Sequence, residues 1–259
     1  MKVFGSFLLA LTLALPAAAG EVYIPFLAAD APGTDSGRST FPTVTLYNLG
    51  GVHRRYVVRF TPAGEDGTQV RELVATELLA PQGSRQEDCC GRQSGLLVVS
   101  GAPQIAVGAR LGLLFNQPGP NGLLTRLPVL TARDALRPGT TAVLHGLQGT
   151  ANAGTLSSLG ILNLGTATAR CVVAIGIFEQ FFPELGQVLV PPLSVAAFPD
   201  VFLRLRGPSG PLGFETRTRV RCDQPFYPFG VNFSGIPAPQ NNLPWVEFVP
   251  PSVQLGNVP

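Results

Sequence analysis

The sequence predicts an all-β protein built as two tandem antiparallel β-sandwiches behind a signal peptide. Three observations carry that expectation. Glycine (30) and proline (25) are abundant without a Gly-x-y period, which excludes collagen and disfavours long helices. Charged residues make up only 13%, about half the usual quarter, so the chain is neither a disordered charged tail nor a charge-laced helical protein. Apolar or alternating runs arrive roughly every 10–15 residues, with turn residues between them and no amphipathic helix. That pattern suits sandwiches better than β-α-β units.

The first element is the leader. Met1-Lys2 gives a short positive start, residues 3–15 are apolar but for Gly5, Ser6 and Thr12, and Pro16-Ala17-Ala18-Ala19 supplies an Ala-x-Ala site. This is the layout of a secretory signal peptide over residues 1–19, and its apolar stretch is short for a membrane span. The expected product is secreted: extracellular, periplasmic or on the cell surface, without a transmembrane anchor.

The rest repeats itself, which implies two copies of one unit. Asn48-Leu49-Gly50, Arg55 and Val57-Val58 recur at an offset of 115 as Asn163-Leu164-Gly165, Arg170 and Val172-Val173. Leu79 to Ser84 parallels Leu189 to Ser194, and Val98 to Gly108 parallels Val220 to Gly230 at an offset of 122. Within the first copy, strands are expected over 43–47, 56–60, 70–73, 96–99 and 105–111. Turns fall at Asn48 to Gly51, Pro62 to Gly67 and Ser100-Gly101. The helix candidates are short, 196–204 and 130–136, the second doubling as linker before Arg137-Pro138-Gly139. The expected domains are therefore 20–137 and 138–259.

Several of these blocks carry a resemblance. The opening run Val22-Tyr23-Ile24-Pro25, the triplets Leu46-Tyr47-Asn48 and Ile161-Leu162-Asn163, the step from Pro81 to Ser84 and the late strand over 105–111 are similar to those of secreted bacterial tandem β-sandwich proteins. Those proteins are immunoglobulin-like and mostly of unknown function. The resemblance implies an immunoglobulin-like fold and an extracellular or cell-surface place, and no catalytic residue.

The four cysteines are Cys89, Cys90, Cys171 and Cys222; in an exported protein an even count favours disulfides. Cys171 and Cys222 fall on two strands of the second copy and are expected to pair. The first-copy equivalents are Tyr56 and Ser100. For Cys89-Cys90 three readings stand: a vicinal disulfide, separate or intermolecular bridges, and metal binding. Zinc is the weakest, because the only histidines, His53 and His145, lie far off in sequence.

No pattern of known chemistry survives inspection, so no catalytic residue, metal or cofactor is expected. Asp35-Ser36-Gly37 matches a short aspartic-protease signature but follows a polar loop and has no second copy. Glu65-Asp66-Gly67 fits a hairpin tip better than a calcium loop. Asn232-Phe233-Ser234 is formally a glycosylation sequon. Every basic residue after Lys2 is an arginine, and these are scattered along the chain, which argues against nucleic acid. The late aromatics, Phe226, Tyr227, Phe229, Phe233 and Trp245, serve either as a ligand platform, with Tyr227 and Trp245 facing the ligand, or as core and inter-copy packing. Alternation of Tyr227, Phe229, Val231 and Phe233 favours packing. The expected function is that of a non-catalytic structural, surface, adhesion or filament-forming protein. Its partners would be itself, through strands such as 21–28 or 246–249, or cell-surface components. The alternative is a glycan- or peptide-binding module.

Overall fold

The computed structural model describes residues 20–28, 38–90, 93–101, 104–115, 123–148, 155–177, 180–181, 186–199, 201, 215–234 and 245–253. The leader 1–19 and Asp35-Ser36-Gly37 lie outside them. No helix among the described residues is long and apolar enough to cross a membrane.

The protein is all-β. The first half carries β1 (Glu21–Phe26), β2 (Arg38–Asn48), β3 (Arg54–Pro62), β4 (Glu72–Leu79), β5 (Ser84–Asp88), β6 (Gly95–Gly101), β7 (Ile105–Phe115) and β8 (Leu123–Arg126). The second carries β9 (Thr141–Gln148), β10 (Thr155–Asn163), β11 (Ala169–Ile177), β12 (Gln180–Phe181), β13 (Gln187–Val190), β14 (Ser194–Phe198), β15 (Glu215–Cys222), β16 (Phe226–Ser234), β17 (Trp245–Val249) and β18 (Pro251–Val253). They form four antiparallel sheets. Sheet I is β1-β6-β3-β4 and sheet II β5-β2-β7-β8; sheet III is β14-β10-β16-β17; sheet IV runs β12-β11-β15-β9-β18, with β13 also on β11.

The sequence repeat is a repeat of topology. β9, β15, β11 and β13 follow one another in sheet IV as β1, β6, β3 and β4 do in sheet I, and sheet III matches sheet II strand for strand. With the two-residue β12 left uncounted, each half pairs its second strand with its fifth and its third with its sixth, as an immunoglobulin domain does. The outer partners are exchanged, since β1 pairs β6 and β7 pairs β2, where an immunoglobulin fold pairs first with second and sixth with seventh.

Register refines the repeat. Tyr56 lies opposite Gly101 as Cys171 lies opposite Cys222, and Tyr47 opposite Ala106 as Leu162 opposite Tyr227. The late offset is therefore 121 rather than 122, and Gly101, not Ser100, is the counterpart of Cys222. In the middle block the left-handed Gln82 (φ 58°) matches Leu193 (φ 48°), which pairs Pro81 with Pro192. Three expected elements also move. Of the expected strand 70–73 only 72–73 is strand: the Gln69 and Val70 amides donate to the Asp66 carbonyl in a turn, and the strand runs Glu72–Leu79. Residues 196–198 of the expected helix 196–204 belong instead to strand β14; 200 and 202–204 lie outside the described residues. Within 130–136 only Ala132–Asp134 turns helically, as a 3-10 turn capped reciprocally by Thr131 and Asp134.

The halves pack sheet on sheet. Residues alternate across a strand, and in β16 Phe229, Val231 and Phe233 join the core of the first half, while Phe226 joins the core of the second. β10 divides likewise, with Leu162 on one side and Leu159 and Ile161 on the other. Sheet III is thus buried on both faces, by sheet IV and by the first half. Sheet I is covered similarly: Leu97 and Val99 lie on its face toward sheet II, Leu96 and Val98 on its face toward sheet III, and all four are buried. Strands with two buried faces read as continuous apolar runs, hence Leu96-Leu97-Val98-Val99. The order of layers is II, I, III, IV. The connection between the halves is fixed at both ends, Leu130 bridging to Tyr23 and Leu136 to Phe226. The turn after β3 adds two more ties, the Gly64 and Gly67 amides donating to Val195 and Pro192 carbonyls, both at 2.9 Å.

Candidate functional site

The most prominent buried polar groups of the repeat are Asn48 and Asn163. The Asn48 Nδ2 donates to the carbonyls of Val52 (2.8 Å), Leu79 (3.0 Å) and Ala80 (3.0 Å), and its Oδ1 accepts from the Gly50 amide (3.0 Å). Asn163 reproduces this with Ala167 (2.8 Å), Val190 (2.9 Å), Pro191 (3.1 Å) and Gly165 (2.8 Å). Only a short side chain with donors at one atom and an acceptor at the other closes such a junction. The residues singled out by the repeat therefore hold the end of the second strand to the end of the fourth, which is a folding task.

Cys171 and Cys222 are direct partners on β11 and β15, with their sulfurs at bonding distance, 2.05 Å. Cys89 and Cys90 lie against each other as a vicinal pair, Cys90 in the left-handed region (φ 71°). That pair borders a cleft of about 330 Å³ at the edge between β4 and β5, lined also by Phe60, Leu73, Glu72 and Asp88. Asp88 already accepts from the Thr43 hydroxyl at 2.8 Å. Among the described residues no three His, Cys, Asp or Glu side chains gather as a metal site.

Three tyrosines have raised pKa values. Burial, then the charge and hydrogen bond of Glu21, push Tyr23 up to about 12. Burial and a 2.6 Å hydrogen bond to Glu87 raise Tyr56 further still. Burial and the nearby Asp134 raise Tyr227. All three stay protonated at neutral pH and act as hydrogen-bond donors or packing surface, not as bases.

The late aromatics divide. Phe229 and Phe233 are fully buried against the first half, and Phe229 stacks on Phe248. Tyr227 is half-buried and packs against the same core. Trp245 opens β17 opposite Ser234, and its side chain lies outside what is described. Asn232, the sequon residue, is buried, donating to the Gly146 carbonyl (2.9 Å) and Glu247 (3.0 Å) and accepting from Ser157 (2.6 Å); the folded protein offers no acceptor there. Glu65-Asp66-Gly67 is a turn, Asp66 accepting from the Thr68 amide and hydroxyl.

The fold does turn one alternating run of arginines to a single face. β15 alternates: Thr218, Val220 and Cys222 point into the core, while Arg217, Arg219 and Arg221 line the open face of sheet IV. Beside them on that face stand Arg170 and Val172 of β11, Leu189 of β13, and Thr141 and His145 of β9. The signal was the string Arg217-Thr218-Arg219-Val220-Arg221, and it acquires meaning only once the strand is known to have one face open. Compared with protein-family models, with curated proteins and with solved structures, the chain matches none, so its function has to be argued from these residues alone.

Proposed function

We propose that the mature chain is an exported, non-catalytic surface or adhesion component, folded as two tandem sandwiches with the boundary near residue 137. The immunoglobulin-like character rests on the two central strand pairings of each half. The observation that carries the reading is the use of the sheets. Sheets I and III are consumed in joining the halves, so the molecule meets a partner with the outer faces of sheets II and IV. The repeated buried asparagines and the raised tyrosines are engaged in holding the fold. Assembly by strand donation has less support, because the strands it would lend are occupied: β1 pairs β6 over its whole length and β17 pairs β16.

Between the partners open to such a protein, the arginines of sheet IV favour a cell-surface glycan over a peptide. Labelled mature protein, residues 20–259, incubated with intact cells and isolated envelopes tests the reading. Saturable retention of a monomer, by light scattering after size exclusion, is the expected result. Concentration-dependent polymers under the electron microscope would replace adhesion by assembly. A hydrolase activity lost on substitution of a single acid would overturn the non-catalytic reading.

A further inference from the structure

We propose that the open face of sheet IV binds an acidic polysaccharide, a glycan bearing carboxylate or sulfate groups; this rests on the adhesion reading and names what the adhesion grips. Arg217, Arg219 and Arg221 stand at alternate positions of one strand, about 7 Å apart along it. Arg170 extends the group on the neighbouring strand. Arg170, Arg217 and Arg221 are exposed and make no ion pair among the described residues. Acids take the next alternate positions at both ends of this row, Glu215 and Asp223, and Asp223 accepts from the Arg170 amide at 2.7 Å.

The internal repeat supplies the comparison that gives the row its significance. The first-half counterparts of Arg217, Arg219 and Arg221 are Leu96, Val98 and Ser100, by the register that sets Gly101 against Cys222. There Leu96 and Val98 are buried against sheet III, although Arg59 stands opposite Val98 on the same face; in sheet IV Arg217 and Arg221 are exposed. An uncovered terminal face needs polar residues to stay soluble, but it does not need one sign. Neighbouring like charges repel, and a mixed surface would serve solubility better. The other open face shows such a mixture: Asp88, Thr43, Arg110 and Arg126 lie in register across sheet II. The cationic bias of sheet IV therefore calls for an anionic occupant.

Its shape narrows the choice. Guanidinium forks bind carboxylate and sulfate in two-point fashion, and a row of them meets a chain of regularly spaced anions multivalently. Val172, opposite Arg221, and Leu189, opposite Arg170, are exposed beside the arginines and suit the C–H faces of pyranose rings. Among the described residues one phenyl-bearing position, Phe181, stands in register with Gly176 and Arg217 at the edge of this face. That is short of the series of rings on which successive bases of a single strand stack, and no described helix projects toward a duplex groove.

The test uses mature protein with polygalacturonate and dextran sulfate as probes, neutral dextran as blank, and phosphatidylglycerol vesicles and a single-stranded oligonucleotide as competing classes. Binding to both acidic glycans that weakens with salt is expected. It should fall at least tenfold in Arg217→Gln/Arg221→Gln, recover in large part in the corresponding Lys variant, and hold in Arg110→Gln/Arg126→Gln. Circular dichroism confirms that each variant folds. No preference over neutral dextran, equal loss from both arginine pairs, or tighter binding to vesicles or oligonucleotide would overturn the proposal. Cells still bound by a Gln variant that has lost the glycans would refute it while leaving adhesion standing. Wild-type protein that binds glycans but no cells would refute adhesion alone.

Discussion

At the scale of single residues, the internal repeat reports on folding. Asn48 and Asn163 each hold three backbone carbonyls with one amide nitrogen. One of the three, that of Leu79 or Val190, is buried with its bond, and leaving a buried carbonyl without its donor costs about 1–3 kcal/mol. Asn48→Ala and Asn163→Ala should therefore each lower the urea midpoint by the equivalent of about 2 kcal/mol. Leu49→Ala, at an exposed neighbour, should leave it nearly unchanged. The asparagines were visible in the sequence as a repeated Asn-Leu-Gly; their role was not, because the carbonyls they hold lie about thirty residues away. Tyr23 gives a pH prediction. Its pKa rises from 10.0 to about 12 on folding, so between those values the unfolded chain has lost a proton that the native state keeps. Stability is intact below about pH 10 and falls as pH climbs toward 12. Tyr23→Phe should flatten that decline in alkaline unfolding curves, and the native protein should show delayed phenolate absorbance.

At the scale of elements, the two cysteine pairs differ in what they close. Cys171 and Cys222 are 51 residues apart, and closing such a loop stabilises by about 4 kcal/mol on the chain-entropy view. Cys89 and Cys90 are adjacent and close no loop. Cys171→Ser/Cys222→Ser should lower the melting temperature strongly, whereas Cys89→Ser/Cys90→Ser should hardly move it, by scanning calorimetry with intact-mass analysis of each bond. That Cys171 and Cys222 face each other across paired strands was legible because both residues mark strands of one copy. Strand β14 was not legible. Ser194 to Phe198 is buried on both faces, Val195 and Ala197 toward the first half, Ala196 and Phe198 toward sheet IV. That erases the alternation by which a strand is recognised and leaves an alanine-containing apolar run that reads as helix. The start of β4 was misplaced for a different reason, a turn stabilised by the Asp66 carbonyl that extends further than its glycines suggest.

At the scale of the whole molecule, composition and repeat foretold four-sheet β architecture, but not which faces meet. A face covered by a partner sheet and one open to water follow the same register and differ only in side chains: Val231 in sheet III stands where Arg110 stands in sheet II. Val231→Arg would place an unpaired charge in the seam, at a cost of several kcal/mol. Gly67→Ala would drive a methyl group into the Leu193 carbonyl, where the turn after β3 meets the second half. Either change should split one cooperative thermal transition into two, while the Cys171–Cys222 pair and sheet IV remain protected from hydrogen exchange longer than the seam.

The layer order also has a consequence for the number of copies such a protein can hold. Sheet I accepts sheet III because Leu96 and Val98 are apolar; sheet IV presents the same surface with arginines in their place. A further copy would find no apolar seat on sheet IV, so the packing that joins the two halves is not continued on this face by virtue of three side chains on one strand. Arg217→Leu, Arg219→Val and Arg221→Ser would restore the pattern of the first seam and make the array extensible, turning a terminus into a joint. On the proposed binding, the arginines that would grip the glycan are the same side chains that refuse a further sheet, so a joint at this face and the ligand exclude each other.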